Sequence, residues 1–368
     1  MEINSRTVGA LALVTVLASA AAAWAVYDRS SRAMVASVPD SLFPGLENRV
    51  NDVQAIEVTT PSDSFTIRRL DDERWGMVQK QNYRVTFETV KQAVVGMAGL
   101  KPLEAKTAKP ALHGKLNVDD PADGGAGTQI LLKDKANDTI AGIVVGKTRS
   151  AATSTRVGWH YVRPAGQNQS WLASGRIEVW DAMSSWLDPE MPTIARTRMR
   201  AASTTDRDGN VLNVSRADTA QNDFNVDNIP EGFRQLSSVS GNALGSALGF
   251  MSFEDVKPVG EVDFASVDRA EYRTFDGLIV SFEIAGEGEE ARWARIQARH
   301  DPAAARPEAV KEEQKANMKT PEKVAEEAEA INRAFGAWAY LLPKYKVKDL
   351  TVRLDSMITE DKGDANRS

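Results

Sequence analysis

Cysteine is absent from the 368 residues of this chain, and histidine occurs only three times. Without thiols the protein forms no disulfide, carries no lipid-modified cysteine and offers neither a thiolate metal ligand nor a cysteine nucleophile. The three histidines, His113, His160 and His300, are far apart in the sequence and follow no metal-ligand spacing. Cysteine is therefore excluded as a metal ligand or nucleophile, and histidine is scarce for either role.

A large excess of one charge is also lacking. The chain has 45 basic and 51 acidic residues, which gives a formal charge of −6, and a nucleic-acid-binding protein would need a concentrated basic face. The content of 42% hydrophobic and 26% charged residues is ordinary for a globular protein. We therefore expect a globular chain of one large or two modest domains, without a nucleic-acid partner.

One long apolar run is present at residues 8–27, which contain no charge and no proline. At about 1.5 Å per helical residue this run is long enough to cross the roughly 30 Å hydrocarbon layer of a membrane. It fits a membrane anchor with Trp24 and Tyr27 at the interface, and it also fits a cleaved signal peptide ending near Ala23-Trp24-Ala25. Its length favours the anchor. Together with the missing cysteines, this predicts a single-pass bacterial inner-membrane protein with most of the chain in the periplasm.

The remaining chain reads as two similar halves. Each half has short strand signals, then a helix signal (86–100 and 235–250), and then a Lys-Pro segment. Lys101-Pro102-Leu103 corresponds to Lys257-Pro258-Val259, and further strand signals follow both segments. A chance resemblance between two strand-rich stretches is the alternative to a repeat.

These patterns predict an α+β fold, in which an N-terminal transmembrane helix precedes a tandem repeat of two strand-rich α+β units. Each unit is expected to contain an antiparallel sheet with a helix. The predicted boundaries are 1–7 for a cytoplasmic N-terminus, 8–27 for the anchor, 28–48 for a spacer, 49–178 for the first repeat, 179–193 for a linker helix, 194–300 for the second repeat, 301–332 for a charged helix or mobile arm, and 333–368 for a C-terminal docking segment and tail.

The stretch AGIVVGKT, residues 141–148, loosely matches a phosphate-binding loop. Such a loop needs residues that accept positive φ and a helix directly after the lysine. The β-branched side chains at 143–145 resist positive φ, and no helical apolar period follows Lys147. The stretch is therefore interpreted as a strand that ends in a Gly146-Lys147 turn, and we expect no nucleotide and no other cofactor.

Several polar residues have a possible chemical role beside an ordinary structural one. His160 lies on a predicted strand between two aromatic residues, and Asp71-Asp72-Glu73 and Asp119-Asp120 could act as paired carboxylates. Both acidic groups flank turn signals, where aspartate commonly bonds to the backbone. The lysines near Thr107, which are Lys101, Lys106 and Lys109, could hold an anion or form a solvated edge.

Tryptophans on predicted strands offer a second kind of candidate site. They could stack on a sugar or a peptide, although packing in the core is the commoner use. The residues concerned are Trp75, Trp159, Trp171 and Trp293. Because none of these patterns is decisive, we predict no catalytic, cofactor-binding or metal-binding residue, and the sequence assigns no binding residue.

Short motifs spread over residues 40–357 resemble a bacterial family catalogued only as domain of unknown function 4340. They are the segments 51–56, 100–107, Gly146-Lys147, 161–163, Trp171-Leu172 and 338–343, together with Trp75. The resemblance implies an N-terminal anchor and a membrane-anchored periplasmic protein that partners ABC-type transport systems of the kind linked with gliding motility. It implies no catalytic residue.

Three functions are compatible with these features. The first is a non-catalytic, membrane-anchored periplasmic accessory or scaffold protein of an ABC-type transport system, acting by protein–protein contact. Its expected partners are the inner membrane and an ABC-type permease or other membrane subunits. The second is an exported module that binds cell-wall polysaccharide or peptide through its tryptophans. The third is a periplasmic hydrolase, which requires His160 and the aspartates to meet in one cleft.

Overall fold

The computed structural model of the protein describes residues 38–149, 158–177, 180, 182–288 and 290–361, together with 15, 18–22 and 24. The chain divides into two compact units, of which the first comprises 1–75 and 86–183 and the second comprises 76–85 and 184–368. Two large sheets contain most of the strands.

The first large sheet has nine strands, and one α-helix lies between the fourth and the fifth strand in the chain. These elements are β1 (Ala55–Thr59), β2 (Ser64–Arg69), β3 (Trp75–Met77), β4 (Tyr83–Val85), α1 (Phe87–Ala98), β5 (Lys101–Ala105), β6 (Thr128–Lys133), β7 (Thr139–Arg149), β8 (Gly158–Pro164) and β9 (Trp171–Gly175). Their order in the sheet is β4-β3-β2-β1-β6-β7-β8-β9-β5. From β2 to β5 in this order, neighbouring strands pair antiparallel.

Helix α1 begins where the sequence predicts it. The Thr86 hydroxyl oxygen accepts a hydrogen bond from the Thr89 amide at 3.1 Å, which caps the first turn. The apolar positions of the helix, Val90, Ala93, Val94 and Met97, are buried. The predicted helix over 86–100 is therefore confirmed within two residues at each end.

The second large sheet has eight strands. Two further short strands from the same part of the chain pair with each other in a separate small sheet. The elements are β10 (Met199–Thr205), β11 (Val211–Ser215), β12 (Asn225–Val226), β13 (Phe233–Gln235), α2 (Asn242–Gly245), β14 (Asp255–Pro258), β15 (Val267–Thr274), β16 (Leu278–Ala285), β17 (Arg292–His300), α3 (Pro321–Phe335), β18 (Trp338–Leu342), α4 (Lys344–Leu350) and β19 (Ile358–Glu360). The large sheet has the order β12-β11-β10-β15-β16-β17-β18-β14, and β13 pairs with β19.

The two large sheets share one strand order. Read from β3 to β5, each strand of the first sheet corresponds to the strand numbered nine higher in the second. The Lys-Pro segments that matched in sequence lie on β5 and β14, and both strands are at a sheet edge. A proline is tolerated there because an edge strand can leave one backbone position unpaired.

Each large sheet has an inner, apolar face and an outer face. In the first sheet the inner face carries fully buried side chains, including Ile56, Val58, Ile130, Leu132 and Ile143. In the second it carries Tyr272, Val280, Phe282, Ile284 and Ile296, and helix α3 packs against β16 and β17. Alternation along each strand places the intervening residues on the outer faces.

The fold-class prediction is wrong in its balance of helix and strand. The protein is mostly antiparallel sheet, with few helices. The helix predicted over 235–250 is reduced to the four residues of α2 and a 3-10 turn at Ala247–Gly249. Glycines weaken this segment as a helix, and at Gly241 a Cβ would lie 2.4 Å from the Phe224 carbonyl oxygen, so the glycine serves a close backbone contact instead.

The charged and linking segments also differ from the predictions. Of the linker helix predicted at 179–193, residues 179 and 181 lie outside the described part, and a 3-10 turn covers Met183–Trp186. Within 301–332 the chain makes three 3-10 turns before α3, which continues past the predicted boundary to Phe335. Thr320 caps α3 through its side chain.

The predicted membrane anchor is contradicted. Among the described residues no helix is both long enough and apolar enough to cross a membrane. Most of 8–27 lies outside the described part of the chain, and the run is rich in alanine, which adds little apolar surface per residue. The predictions of a transmembrane helix and of a single-pass inner-membrane location are corrected accordingly.

Candidate functional site

In the first unit, the outer face of the sheet is covered by the chain's own segment 106–127, which connects β5 to β6. The Arg163 side chain on β8 reaches this segment, and its Nε donates to the Val118 carbonyl oxygen at 2.7 Å. Arg163 and its outer-face neighbour on β7, Val144, are only 3% and 0% exposed. The outer face of this unit is therefore already occupied by polypeptide over β7 and β8.

The covering segment also bonds to the backbone of β7. The Lys147 amide donates to the Leu116 carbonyl at 3.0 Å, and Lys147 Nζ donates to the Lys115 carbonyl at 2.8 Å. Gly146 makes this approach possible, because a Cβ there would lie 2.2 Å from the Leu116 oxygen. The glycine and lysine of the phosphate-loop-like stretch thus contact the covering segment 106–127.

The second unit has a much shorter connection at the corresponding place. Only residues 259–266 join β14 to β15, and they include a single 3-10 turn at Val259–Glu261. Phe264 of this connection lies beneath the Arg295 guanidinium. The centroid of its ring is 4.8 Å from Arg295 Cζ. Arg269 and Arg299 on the outer side are 59% and 56% exposed, so this face is open.

Two groups of charged side chains cross the open face. The groups are Arg269, Glu283 and Arg295, and Arg273, Glu271 and Arg299. In each group the glutamate pairs with both arginines; Arg269 Nε lies 3.1 Å from Glu283, and Arg299 lies 3.7 Å from Glu271. Asp301 also pairs with Arg299 at 3.2 Å, so four arginines against three carboxylates leave a local charge of +1, whereas the whole chain carries −6. We call this outer side of β15–β17, with its four arginines, the arginine face.

Strand register explains how these side chains meet. Arg269, Glu283 and Arg295 are direct cross-strand neighbours on β15, β16 and β17. Ile279 lies in the same way between Arg273 and Arg299, and it is only 1% exposed because the arginine stems flank it. The face is therefore built on three rigid central strands and does not depend on loops.

A groove of about 1010 Å³ lies elsewhere in the second unit, beside the β10–β11 hairpin and the C-terminal segment. Two of its acidic groups form ion pairs: Asp268 lies 2.7 Å from Arg292, and Asp206 lies 2.9 Å from Arg353. A side-chain hydrogen bond from Asn210 holds the pKa of Asp206 below its ordinary value. Asp206 thus attaches the C-terminal segment, and Asp268 holds the hairpin because it also accepts from the Arg207 amide at 3.1 Å.

The three histidines lie in separate settings. His113 is buried, and its Nε2 is 2.8 Å from the Asn168 carbonyl oxygen. His160 lies on β8, 3.4 Å from the Thr148 hydroxyl, while His300 ends β17 in the second unit. Within the described residues no group of three or more histidine, aspartate or glutamate side chains is suited to hold a metal ion.

The paired carboxylates occupy structural positions. Asp72 lies on an exposed turn, and the hydrogen bond from the Arg74 side chain lowers its pKa. Asp120 lies 2.9 Å from Arg163, the residue that holds the covering segment in place. Each of these acidic groups is thus engaged with an arginine.

The tryptophans and lysines divide between core and surface. Trp75 and Trp171 are buried, whereas Trp159 and Trp293 are partly exposed and lie beside Arg149 and Lys257. Lys106 pairs with Glu104 at 2.7 Å, and Lys101 and Lys109 are exposed. This arrangement agrees with the solvated-edge interpretation of the lysines.

Sequence reasoning missed the arginine face, although a signal is present. In Arg269-x-Glu271-x-Arg273 and Arg295-x-Gln297-x-Arg299, charged or polar residues recur at every second position of predicted strands. That period places them on one side of a sheet. What the sequence does not indicate is that these two strands flank β16 and share Glu283 between them.

Comparison with known proteins adds no relative: no family model matches the chain, and no curated protein or solved structure matches it. The resemblance to the domain of unknown function 4340 family therefore stays a prediction. The site has to be interpreted from its own geometry.

Proposed function

We propose that this chain is a non-catalytic binding protein whose arginine face receives an acidic segment of a partner protein. The open face with four arginines and two glutamates carries the proposal. A planar guanidinium forms strong, often bidentate hydrogen bonds to carboxylates. A local positive surface on a negative chain also favours acidic partners over basic ones.

The first unit shows what kind of ligand can cover the outer face of such a sheet. With the same strand order, its outer face holds polypeptide through the Val118 and Leu116 carbonyls. Among the described residues of the second unit no such segment covers β15–β17, and this face presents arginines instead. A segment supplied by another protein, with carboxylates facing the sheet, would complete the same arrangement.

The family resemblance suggests where to look for that protein. It implies a role beside ABC-type transport systems, so the protein subunits of such a system are the first partners to test. Recovery of one of them with the purified full-length chain, and its loss on neutralising the arginine face, would support the proposal.

The spacing of the arginines allows a sharper test with peptides. Arg269 and Arg273 are four residues apart on β15, a separation of about 13 Å in a strand. Two labelled peptides of equal composition are compared, one with glutamates four residues apart and one with adjacent glutamates. We expect the spaced peptide to bind the full-length chain more tightly, as measured by fluorescence anisotropy.

Variants then locate the binding surface. Arg269→Gln with Arg299→Gln removes two exposed charges from the face, and we expect Kd for the spaced peptide to rise by about tenfold or more. Arg234→Gln with Arg333→Gln removes the same charge at exposed positions outside the face. Equal losses in both double variants would show a non-specific charge effect and would contradict the proposal.

A further inference from the structure

Strand β19 has an open edge in the described part of the chain. It pairs only with β13 there, in a separate two-stranded sheet. The Leu236 amide donates to the Met357 carbonyl at 2.9 Å, and in an antiparallel ladder the bonded pairs fall at alternate residues. The N–H and C=O groups of Ile358 and Glu360 therefore point away from β13, and no described residue bonds to them. Such an edge can pair with a further strand.

The same two strands form one wall of the groove of about 1010 Å³ in the second unit. Phe233 and Ile358 both line this groove. They lie on one face of the two-stranded sheet, because Gln235 is two residues from Phe233 and directly opposite Ile358. In a strand added to β19, every second side chain would lie on this face and point to the groove.

The groove offers exposed apolar surface to such side chains. Phe233 is 42% exposed, and Val211, which lines the groove from the β10–β11 hairpin, is 37% exposed. Pockets that bind ligands commonly have volumes of about 300–1,000 Å³ and a mostly apolar lining with a few polar groups. The groove lies at the upper end of that range, so it can take several side chains of an extended segment.

Two charged side chains of the groove have no partner among the described residues. They are Asp208 on the β10–β11 hairpin and Lys348 on helix α4, and both are exposed. The other charged residues of the lining all form ion pairs. One carboxylate and one ammonium group are thus left, and the ligand that complements both has one basic and one acidic group.

We propose that β19 and the groove form a binding site for an extended peptide segment. The segment pairs with the outward N–H and C=O groups of Ile358 and Glu360 and places apolar side chains in the groove at every second position. An acidic residue of the segment meets Lys348, and a basic residue meets Asp208. Backbone pairing then supplies affinity, and the alternate side chains supply specificity. The inference does not depend on the acidic-segment proposal, because none of the four arginines of that face lines the groove.

A labelled peptide with blocked ends is the probe. It has valine at every second position, threonine between, a lysine near one end and a glutamate near the other. We expect saturable binding to the full-length chain, with hydrogen exchange of the Ile358 and Glu360 amides slowed by about tenfold or more for each 1.4 kcal/mol gained. The absence of saturable binding, or binding that leaves exchange of both amides unchanged, would overturn the proposal.

Two N-methylated versions of the peptide test strand pairing directly. Only alternate amides of a bound strand face β19, so methylation of the valine amides and methylation of the threonine amides remove different donors. The side chains are the same in both versions. We expect the two affinities to differ by about tenfold, because one version loses its hydrogen bonds to β19 and the other keeps them. Equal affinities would contradict strand pairing.

A pair of substitutions at Glu360 tests the edge from the side of the protein. Glu360→Pro removes an outward N–H at an edge position where proline is tolerated, and Glu360→Ala removes the same side chain but keeps the N–H. We expect Kd to rise by about tenfold in Glu360→Pro and to change little in Glu360→Ala. An equal effect of the two would contradict the site. Protection of the Leu236 amide in both variants shows that the β13–β19 pair is intact.

Lys348→Gln tests the charge assignment. We expect Kd to rise about threefold for the glutamate-containing peptide and to stay unchanged for a version with glutamine in that place. Lys323→Gln removes the same charge from an exposed position on α3, outside the groove, and should affect neither peptide. The same rise for both peptides in Lys348→Gln would refute the contact with the glutamate.

A second copy of this chain is the alternative occupant of the edge. In that case the Ile358 amide would become more protected as the protein concentration rises, without any peptide. That result, together with dimers in sedimentation experiments that the peptide does not dissociate, would overturn the peptide site.

Discussion

Arg198 holds two carboxylates inside the second unit. Its Nε lies 2.6 Å from Asp276, and its two Nη atoms lie 2.9 and 2.6 Å from the oxygens of Glu327. Asp276 also accepts from the Lys319 amide at 3.0 Å. The cluster therefore ties the start of β10, the turn between β15 and β16 and helix α3 to one buried cation.

Burial alone would raise the pKa values of Asp276 and Glu327. The hydrogen bonds from Arg198, with further ones from Thr274 and Lys319, outweigh this effect and hold both pKa values below their ordinary values of 3.8 and 4.5. A carboxyl with a depressed pKa stabilises the fold above its unfolded-state pKa, and that contribution is lost as the pH falls through the folded-state pKa.

Replacing Arg198 by methionine tests this cluster. The substitution leaves Asp276, whose side chain is only 4% exposed, without its cation, and we expect a loss of about 3–5 kcal/mol in the free energy of unfolding at pH 7. The loss should shrink below about pH 4, because protonation of the carboxyls removes the uncompensated charge. Urea unfolding at several pH values measures both effects.

An exposed ion pair serves as the control for this experiment. Lys315 lies 2.6 Å from Glu312, with both side chains more than half exposed, so Lys315→Gln should cost less than about 1 kcal/mol. A similar small cost for Arg198→Met, or a cost independent of pH, would show that the buried cluster contributes little.

Among the helices and strands, the sequence predicted those segments whose local signals agree with their packing. Helix α1 has a threonine cap, a regular apolar stripe and no proline, and it forms as predicted. The segment 235–250 has an apolar content suited to a helix, but Gly241 and Gly245 take part in close contacts with Phe224 that only the folded chain defines. A local pattern cannot indicate such a contact between distant segments.

The strand containing the phosphate-loop-like stretch shows the same limit. Alternation and β-branched residues predicted a strand there, and β7 confirms it. The predicted turn at Gly146-Lys147 is wrong, because the strand continues through an irregularity between Val145 and Thr148 to Arg149. The glycine is explained by the covering segment on the outer face, and no local pattern predicts that segment's position.

Substitution of Arg163 tests the covering segment. Arg163→Leu removes donors to the Val118 and Gln167 carbonyls and the ion pair with Asp120. We expect segment 106–127 to open locally, with hydrogen exchange of the Lys147 amide accelerated by about tenfold or more for each 1.4 kcal/mol lost. Amides of β6 that pair with β1 should stay protected.

Arg68→Leu is the control, since Arg68 is exposed on β2 of the same unit. Unchanged exchange at Lys147 in Arg163→Leu would mean that the covering segment is held by its backbone contacts alone. Segment 106–127 would still cover the outer face of the first unit, but the proposed role of Arg163 in holding it there would be refuted.

Strand order and net charge are properties of the full chain, and they determine how the two units resemble each other and how the arginine face meets a charged partner. The repeat of one strand order could be suspected from two Lys-Pro segments, because both mark an edge strand. The sequence does not predict that the outer face is covered in the first unit and open in the second, because this depends on whether the connection folds back over the sheet. Residues 106–127 do so, and 259–266 are too few to do the same.

The net charge of −6 opposes the local charge of +1 on the arginine face, and salt separates the two effects. At 0.01 M ionic strength the Debye length is about 30 Å, so an acidic peptide is repelled by the whole chain. At 0.1 M it is about 10 Å, and the peptide responds mainly to the nearby arginines. We therefore expect the affinity for the spaced-glutamate peptide to change little between these two concentrations.

Above that range the direct ion pairs are screened as well. At 1 M the Debye length is about 3 Å, and the affinity should then fall steeply, while a glutamine version of the peptide shows no dependence on salt. Fluorescence anisotropy over this series measures the effect. A steep and uniform loss from 0.01 M upwards would indicate attraction to a larger positive surface than the arginine face provides, and binding through the four arginines would have to be abandoned.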